Sequence, residues 1–547
     1  MQSLRVLYHM MRADILERTR RSSFLVTLGL TIAMAFAYVP PRDAWYITLS
    51  VDAARGVYNS AWVGSLVAIL TSMTLAFAGF YLVKNAVARD VETGVGQIIA
   101  TTPLRRPIYT LGKWLSNFAV LMLMVVVTAV AAGLLQLARG EDRHLDLVAL
   151  LAPFALVVLP AIAVVAALAV LFETVRWLRG GLGNVLYFFL CTALFAGTVL
   201  PVMLQAGGLS LSPALVAASS NADVLGVGFP LRHMLNATNG AFADLDIGNN
   251  GIGPVPRFDP VRTFVWAGVP WTGALIGMRL VWVGIALGIA LAAALFFSRF
   301  DPAREAYRSA ANAQRSATNT AHQAPGVELQ PAVVLPVTLS PALRTRFTFG
   351  HVLRAELRLL TKDLRWWWYL VAAGLIVAGF LLPTGVARAY ALPITWLWPI
   401  LVWSGLGTRE WRYHTAPLIF SAAHPLGRQL PATWLVGVLV TILTGSGVAA
   451  NLLFAGDVIG MLTCGIAALF IPTLALALGA WSGGSKLFEI VYLMLWYAGP
   501  MNKILPQLDF MGASRTAMIA GLPIVYLLAT LVLFSMAVAG RRRQLHG

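Results

Sequence analysis

The chain has 547 residues, 59% of them hydrophobic and only 12% charged, and its mean hydropathy is +0.76. That balance excludes an ordinary soluble globular protein, and no polar stretch is long enough to enclose a core of its own. The formal net charge of +17 raises nucleic-acid binding as a class, but the cations are distributed as a topology signal, so no nucleic-acid partner is expected.

The apolar residues fall in blocks of roughly 18–25, the length that crosses a bilayer as a helix. Lipid offers a bare backbone no hydrogen-bond partner, so such blocks must be helical. Spans are expected near 23–40, 60–83, 115–138, 148–172, 183–204, 274–298, 366–384, 390–407, 432–453, 458–480, 487–500 and 516–540. The expected fold class is therefore an all-α integral membrane protein of about twelve transmembrane helices. With the N-terminus inside, about 29 Lys and Arg lie on the cytoplasmic side and about 11 outside. Both termini and the stretch 301–347 are then cytoplasmic. Cys191 and Cys464 sit inside apolar blocks and suggest neither a disulfide framework nor a metal cluster.

In chain order, Leu4, Leu7, Tyr8, Met11 and Ile15 lie at helical spacing and predict an amphipathic interfacial helix over 1–22, turning into the membrane at Phe24. Asp14, Glu17 and the length of this region argue against a cleaved signal peptide ending at Ala35-Phe36-Ala37. The loop 84–114 carries Arg89-Asp90-Val91-Glu92-Thr93-Gly94, then Pro103-Leu104-Arg105-Arg106. Val91, Val95, Ile98 and Ile99 are expected on one face of a short helix, with Asp90 and Glu92 in its first turn, favoured there by the helix dipole. An outer loop, 205–273, is rich in Gly, Asn and Pro; its sequon at Asn236-Ala237-Thr238 is best taken as a chance match. The stretch 301–347, rich in Ala, Ser, Thr, Gln and Pro, is expected to be a flexible linker.

Beyond the linker the pattern recurs. Phe349, Leu353, Leu357, Leu360 and Leu364 predict a second interfacial helix over 348–365, with Arg354-Ala355-Glu356 answering Arg12-Ala13-Asp14. The loop 408–431 reads Arg409-Glu410-Trp411-Arg412, then Pro425-Leu426-Gly427-Arg428, and ends near Trp434 as the first ends at Trp114. Trp177 with Gly180-Gly181 is echoed by Trp481 with Gly483-Gly484. These three echoes in one order predict two homologous six-helix halves, 1–300 and 348–547.

Enzymatic chemistry fails by inventory. No phosphate-loop run exists: Gly112-Lys113 is followed by Trp114, and Gly484-Ser485-Lys486 by Leu487. The eight histidines show no ligand spacing, His414 and His424 near Glu410 included, and there is no nucleophile elbow. Within the expected spans the ionisable residues are Arg279 and Glu489, too few for a gradient-driven carrier. The polar Asn117, Gln136, Asn184 and Asn451 are as readily interhelical glue as substrate ligands.

The order of elements, the interfacial helix 1–22 and the run Arg-Asp-x-Glu-Thr-Gly, Thr-Thr-Pro-Leu-Arg-Arg and Tyr109-x-x-Gly112-Lys113 resemble the ABC-2 type permeases, the membrane subunits of ATP-binding-cassette exporters. The resemblance implies that the chain is no enzyme itself, and that ATP and Mg sit on a separate cytoplasmic ATPase partner, present as two copies. It implies a coupling role for Arg89, Asp90, Glu92, Thr93, Gly94, Val95, Ile98, Pro103, Leu104, Arg105 and Arg106, with Arg409, Glu410, Pro425 and Leu426 as counterparts. It places the chain in the inner membrane of a bacterium, among lipids, moving an unidentified substrate outward, the direction of an exporter. The second loop departs from the motif: Arg412 replaces the second acid, Thr-Gly is missing and Pro417 intervenes, which leaves open whether both halves engage the ATPase equally. The alternatives are a gradient-driven carrier of the major-facilitator type, also two six-helix halves, and a membrane assembly protein.

Overall fold

The computed structural model describes residues 2–20, 22–51, 54–206, 211–242, 251–256, 261–297, 349–362, 364–412, 415, 419, 421, 424–503, 505–514 and 521–546. The linker 301–347 lies outside them. Contacts divide the chain into two compact units, Met1–Gln323 and Ala324–Gly547.

The first unit begins with α1 (Gln2–Thr19) and α2 (Ser22–Tyr38). Strands β1 (Tyr46–Ser50) and β2 (Ala54–Gly56) lead to α3 (Ser60–Thr74), which continues through a π turn, Leu75–Gly79, into α4 (Phe80–Val83). The side chain of Asn59 accepts from Trp62 N at 2.8 Å and so starts α3. Two short helices, α5 (Ala86–Glu92) and α6 (Val95–Thr101), precede the long α7 (Arg106–Arg139). Then α8 (Leu147–Pro153), capped by Asp146, passes through a second π turn, Phe154–Val158, into α9 (Leu159–Thr174). The unit closes with α10 (Gly181–Ala206), α11 (Pro213–Asn221), α12 (Gly228–Ala241), β3 (Gly251–Pro256), β4 (Arg262–Phe264) and α13 (Gly273–Phe296). Helix α1 packs on α7, and α13 packs on α9 and α7.

The second unit contains α14 (Phe349–Thr361) and α15 (Trp366–Leu381), bent by 101° at their break. After a run of short pieces, Thr384–Val386, Ala387–Ala391, Leu392–Leu397 and Ile400–Trp403, come α16 (Arg409–Arg412), α17 (Pro425–Phe454), α18 (Val458–Ser482), α19 (Lys486–Trp496) and α20 (Leu522–His546). Here α14 and α15 pack on α17, and α20 packs on α18.

Among the described residues, eight helices are long and apolar enough to cross a membrane, or nine if α14 and α15 count as one bent span. This is a multi-pass membrane protein. Three expected spans take another form: 23–40 is the 17-residue α2, 390–407 is interrupted at Trp398-Pro399, and 487–500 is the 11-residue α19 followed by a π turn, Tyr497–Met501. Prolines 393, 399 and 500 remove the backbone donors that would carry the latter two through as regular helices.

The all-α expectation holds, and the described residues add four short strands outside the long helices. Strands β1 and β3 pair antiparallel and β2 and β4 pair parallel, giving two two-stranded sheets. Within 205–273, β3 and β4 thus pair with the segment that precedes α3. Phe264 and Trp266 pack edge-on against Trp62 of α3, and Trp266 Nε1 donates to His233 Nδ1.

Candidate functional site

Segment 84–105 is two helices rather than one. Gly94, at φ +75°, breaks the chain between α5 and α6, so Asp90 and Glu92 lie in the last turn of α5 and not in a first turn. The dipole argument for them fails, and the acid at the start of α5 comes from elsewhere. The carboxylate of Glu173, at the end of α9, accepts from four consecutive backbone N–H groups: Asn85 at 2.6 Å, Ala86 at 3.0 Å, Val87 at 2.6 Å and Ala88 at 3.2 Å. Those donors have no partner inside the helix, and an anion there also meets the positive end of the dipole.

The other end of α5 is held by charge. Asp90 accepts from Tyr109 Oη at 2.7 Å and pairs with Lys113 Nζ at 2.9 Å. Lys113 also pairs with Asp14 of α1 at 3.0 Å, so one buried cation joins the interfacial helix, the loop and α7. Tyr109 stacks on Phe297 at 4.5 Å, just beyond α13. Met10, Val87, Ile99 and Leu104 pack around that pair. Ile99, expected on the open face with Ile98, is therefore on the anchored one. Nearby, Arg18 Nη2 donates to Asn117 Oδ1 at 2.7 Å, while its Nε and Nη1 have no hydrogen-bond partner. Burial and then the charge of Arg89 push its guanidinium down to about 10, against the acids Asp14, Glu173 and Glu17. Arg89 also pairs with the exposed Glu17 at 3.3 Å, a contact of little energetic weight.

The opposite face is open. Val91, Val95 and Ile98 are 57%, 43% and 67% exposed, a grouping of large apolar side chains on a segment whose other side is pinned. Glu92 and Thr93 are exposed beside them, as are Pro103, Arg105 and Arg106; Leu104 is half-buried. Arg105 caps α7 from outside, and Pro107 occupies its first turn.

In the second unit the corresponding residues also gather. Glu410 of α16 pairs with Arg541 of α20 at 2.7 Å and accepts from Gln429 Nε2 of α17 at 2.9 Å. Gln429 Nε2 lies 3.4 Å from Glu356 of α14, and Arg409 pairs with Glu356 at 3.5 Å. Burial pushes the Glu356 carboxyl up, against the pull of Arg409 and Gln429. Pro425 opens α17 and Leu426 follows it, half-buried. Arg412 ends α16, while Pro417 lies outside the described residues.

Arg279 and Glu489 remain the ionisable residues of the expected spans, but the helices run further than the apolar blocks. Lys84, Lys113 and Glu173 are also buried within span-length helices. Lys84 Nζ donates to Asn184 Oδ1 at 2.6 Å and to Leu178 O at 3.2 Å. Among the described residues no group of His, Cys, Asp and Glu is placed to hold a metal ion.

A second feature escaped sequence reasoning altogether. Asp223 accepts from Val227 N and Gly228 N at 3.2 and 2.9 Å, around Gly226 at φ +72°. Asp509 accepts from Ala513 N and Ser514 N at 3.0 and 2.7 Å, around Gly512 at φ +67°. Both are buried turns that precede the unit's last helix, the first with α12 in between. The readable signal was Asp223-Val-Leu-Gly-Val-Gly228 against Asp509-Phe-Met-Gly-Ala-Ser514. Each turn is tied to that helix. Arg279 of α13 donates to the carbonyls of Asp223 and Val224, and also to Leu156 and Val157 at the π turn before α9. Tyr526 Oη of α20 donates to Gln507 O at 2.9 Å.

Neither a scan against protein-family models nor searches of curated proteins and of solved structures return a match for this chain.

Proposed function

We propose that this chain is the membrane permease of an ATP-binding-cassette exporter of the ABC-2 type, built from two homologous six-helix halves. It sits in a bacterial inner membrane with both termini cytoplasmic, and moves its substrate with ATP hydrolysed by a separate ATPase pair. The observation that carries the reading is the segment 86–101. It is pinned on one side by Glu173, Asp90, Lys113 and Asp14, and presents Val91, Val95 and Ile98 on the other. A surface that receives mechanical work needs both properties: rigid attachment to several spans and an apolar face for a partner.

Paired features in the two units support the duplication. An amphipathic helix packs on a long helix in each, α1 on α7 and α14 on α17. Trp114 and Trp434 each donate to the next long helix, to Ala163 O and Thr473 Oγ1. Tyr187 and Tyr492 donate to the carbonyls of Ala76 and Trp396, which lie equally far before Arg89 and Arg409. The two aspartate turns complete the set.

The test is a photo-crosslinking amino acid placed at Ile98 in native membranes. Crosslinks to a nucleotide-binding ATPase, absent when the probe sits at the exposed Leu531 of α20, are expected. Crosslinks at Ile98 to lipid alone would remove the coupling role.

A further inference from the structure

A strap, 262–269, fastens the outer loop to the start of α3, and one bond of that strap depends on a titratable ring. Strand β4 pairs with β2, Val57 N donates to Phe264 O at 2.8 Å, and Asn59 Nδ2 donates to Trp266 O at 2.9 Å. Trp266 is 1% exposed and lies edge-on to Trp62 of α3, with ring centroids 6.0 Å apart. Its indole Nε1 donates to Nδ1 of His233, on α12, at 3.1 Å. Among the described residues that indole has no other acceptor.

The Trp266–His233 bond exists in a single protonation state. A neutral imidazole with its proton on Nε2 offers the Nδ1 lone pair, whereas an imidazolium carries protons on both nitrogens and accepts nothing. Protonating His233 therefore sets two donors against each other and leaves a buried indole N–H unmet. His233 is half-buried, so protons from the surrounding water reach it. Burial lowers its pKa from the usual 6.5, and no charged group contributes. The charges on neighbouring elements are engaged elsewhere. Arg232, beside it on α12, donates to Ser219 and Ser220 of α11. Asp223 accepts within its own turn, and Arg279 of α13 holds backbone carbonyls. Arg262 of the strap lies over the Phe242 ring, and Arg55 of β2 pairs with Glu141.

We propose that His233 and Trp266 form an acid-sensitive latch, which holds the strap 262–269 on α3 while His233 is neutral and releases it on protonation. The bond's contribution is fully present above the unfolded value of 6.5 and is lost as pH falls through the lower folded value. The remaining strap contacts do not titrate, so acid loosens the strap without unfolding the unit. Helix α3 leads through α4 to α5 as one segment, Ser60–Glu92. On the coupling reading, on which this last step rests, acid thus acts at the outer end of the rod whose inner end meets the ATPase. The latch itself stands without that reading.

The experiment follows backbone hydrogen exchange by mass spectrometry in the purified full-length chain, in a neutral detergent, at about pH 7.5 and about pH 5, either side of the histidine range. After correction for intrinsic exchange, 262–269 should open about two- to tenfold more at the lower pH, the worth of one hydrogen bond, while α7 stays unchanged. His233→Asn keeps an amide oxygen near the place of Nδ1 and does not titrate, so its strap should stay protected at both pH values. Trp266→Phe removes the donor and should open the strap equally at both. If that variant fails to fold, the half-buried His233→Asn carries the comparison. A wild-type strap indifferent to pH overturns the latch, as does a His233→Asn strap that follows the wild type or a rise shared equally by α7. No readout here involves the ATPase. Failure of the latch therefore leaves the coupling reading standing, and failure of the Ile98 crosslinks leaves the latch.

Discussion

Replacing Val95 and Ile98 by Asp tests the coupling reading at its centre. These side chains are 43% and 67% exposed, so a partner that covers them removes that fraction from water. Full burial of such a side chain contributes about 1.5–3 kcal/mol, and the exposed fractions together about 2–3 kcal/mol. Losing that alone weakens the complex by about 30- to 150-fold. Two carboxylates forced into the contact without partners add a further cost, so at least about 100-fold is expected. Neither side chain holds the segment in place, because Glu173, Lys113 and the Tyr109–Phe297 stack do. Exposed substitutions of this kind change folding stability by only about 0.5 kcal/mol, so membrane abundance and melting temperature should hold. The assay is co-purification with the ATPase together with stimulation of its hydrolysis. A complex whose affinity stays within about fivefold of the wild type would refute the reasoning. Ile419→Asp in the second loop should do less harm, since that loop departs from the motif.

Two further outcomes follow from the charges. Lys113→Met leaves Asp14 and Asp90 facing each other without their shared cation, and breaking a buried pair from one side costs about 3–5 kcal/mol. Thermal unfolding in detergent should show that loss, with Asp90→Asn on the same background restoring part of it; an unchanged melting temperature for Lys113→Met would contradict the clamp. Glu141 gives a pH dependence: burial raises its carboxyl, but the Arg55 bond, Tyr58 N–H and the charges of Arg55 and Arg42 hold it below 4.5 on balance. A carboxyl lowered on folding stabilises above the unfolded value of 4.5 and loses that contribution as pH falls through its folded value. Glu141→Gln should therefore flatten the acid limb of the melting-temperature profile, and parallel profiles for the two proteins would count against the Arg55–Glu141 pair.

The long spans were legible because each is specified locally: an apolar run of bilayer length has one way to satisfy its backbone. The elements that escaped are those whose specification comes from elsewhere in the chain. Glu173 caps a helix almost ninety residues before it. Strands β1 and β3 find each other across some two hundred residues, and neither is long enough to show a period. Lys113 was read as a residue that fails a phosphate loop and as the end of the Tyr109-x-x-Gly112-Lys113 run, since nothing next to it in sequence reveals Asp14 and Asp90.

The second loop differs from the first in sequence and is held by a different clamp. Aligned on Trp114 and Trp434, Lys113 falls opposite Thr433 and Tyr109 opposite Gln429. The long helix of the second unit carries no cation at that position, yet Glu410 is buried and cannot go unpaired without heavy cost. Arg541 supplies the charge instead, from the end of α20, with Gln429 taking the hydrogen-bonding place of the tyrosine. A cation on the final helix fixes the loop to the last span, whereas Lys113 fixes its counterpart to α1 and α7. On the coupling reading, a push on the first loop is therefore delivered to the interfacial helix and α7, and a push on the second to α20. The two loops differ in what they are anchored to as well as in sequence.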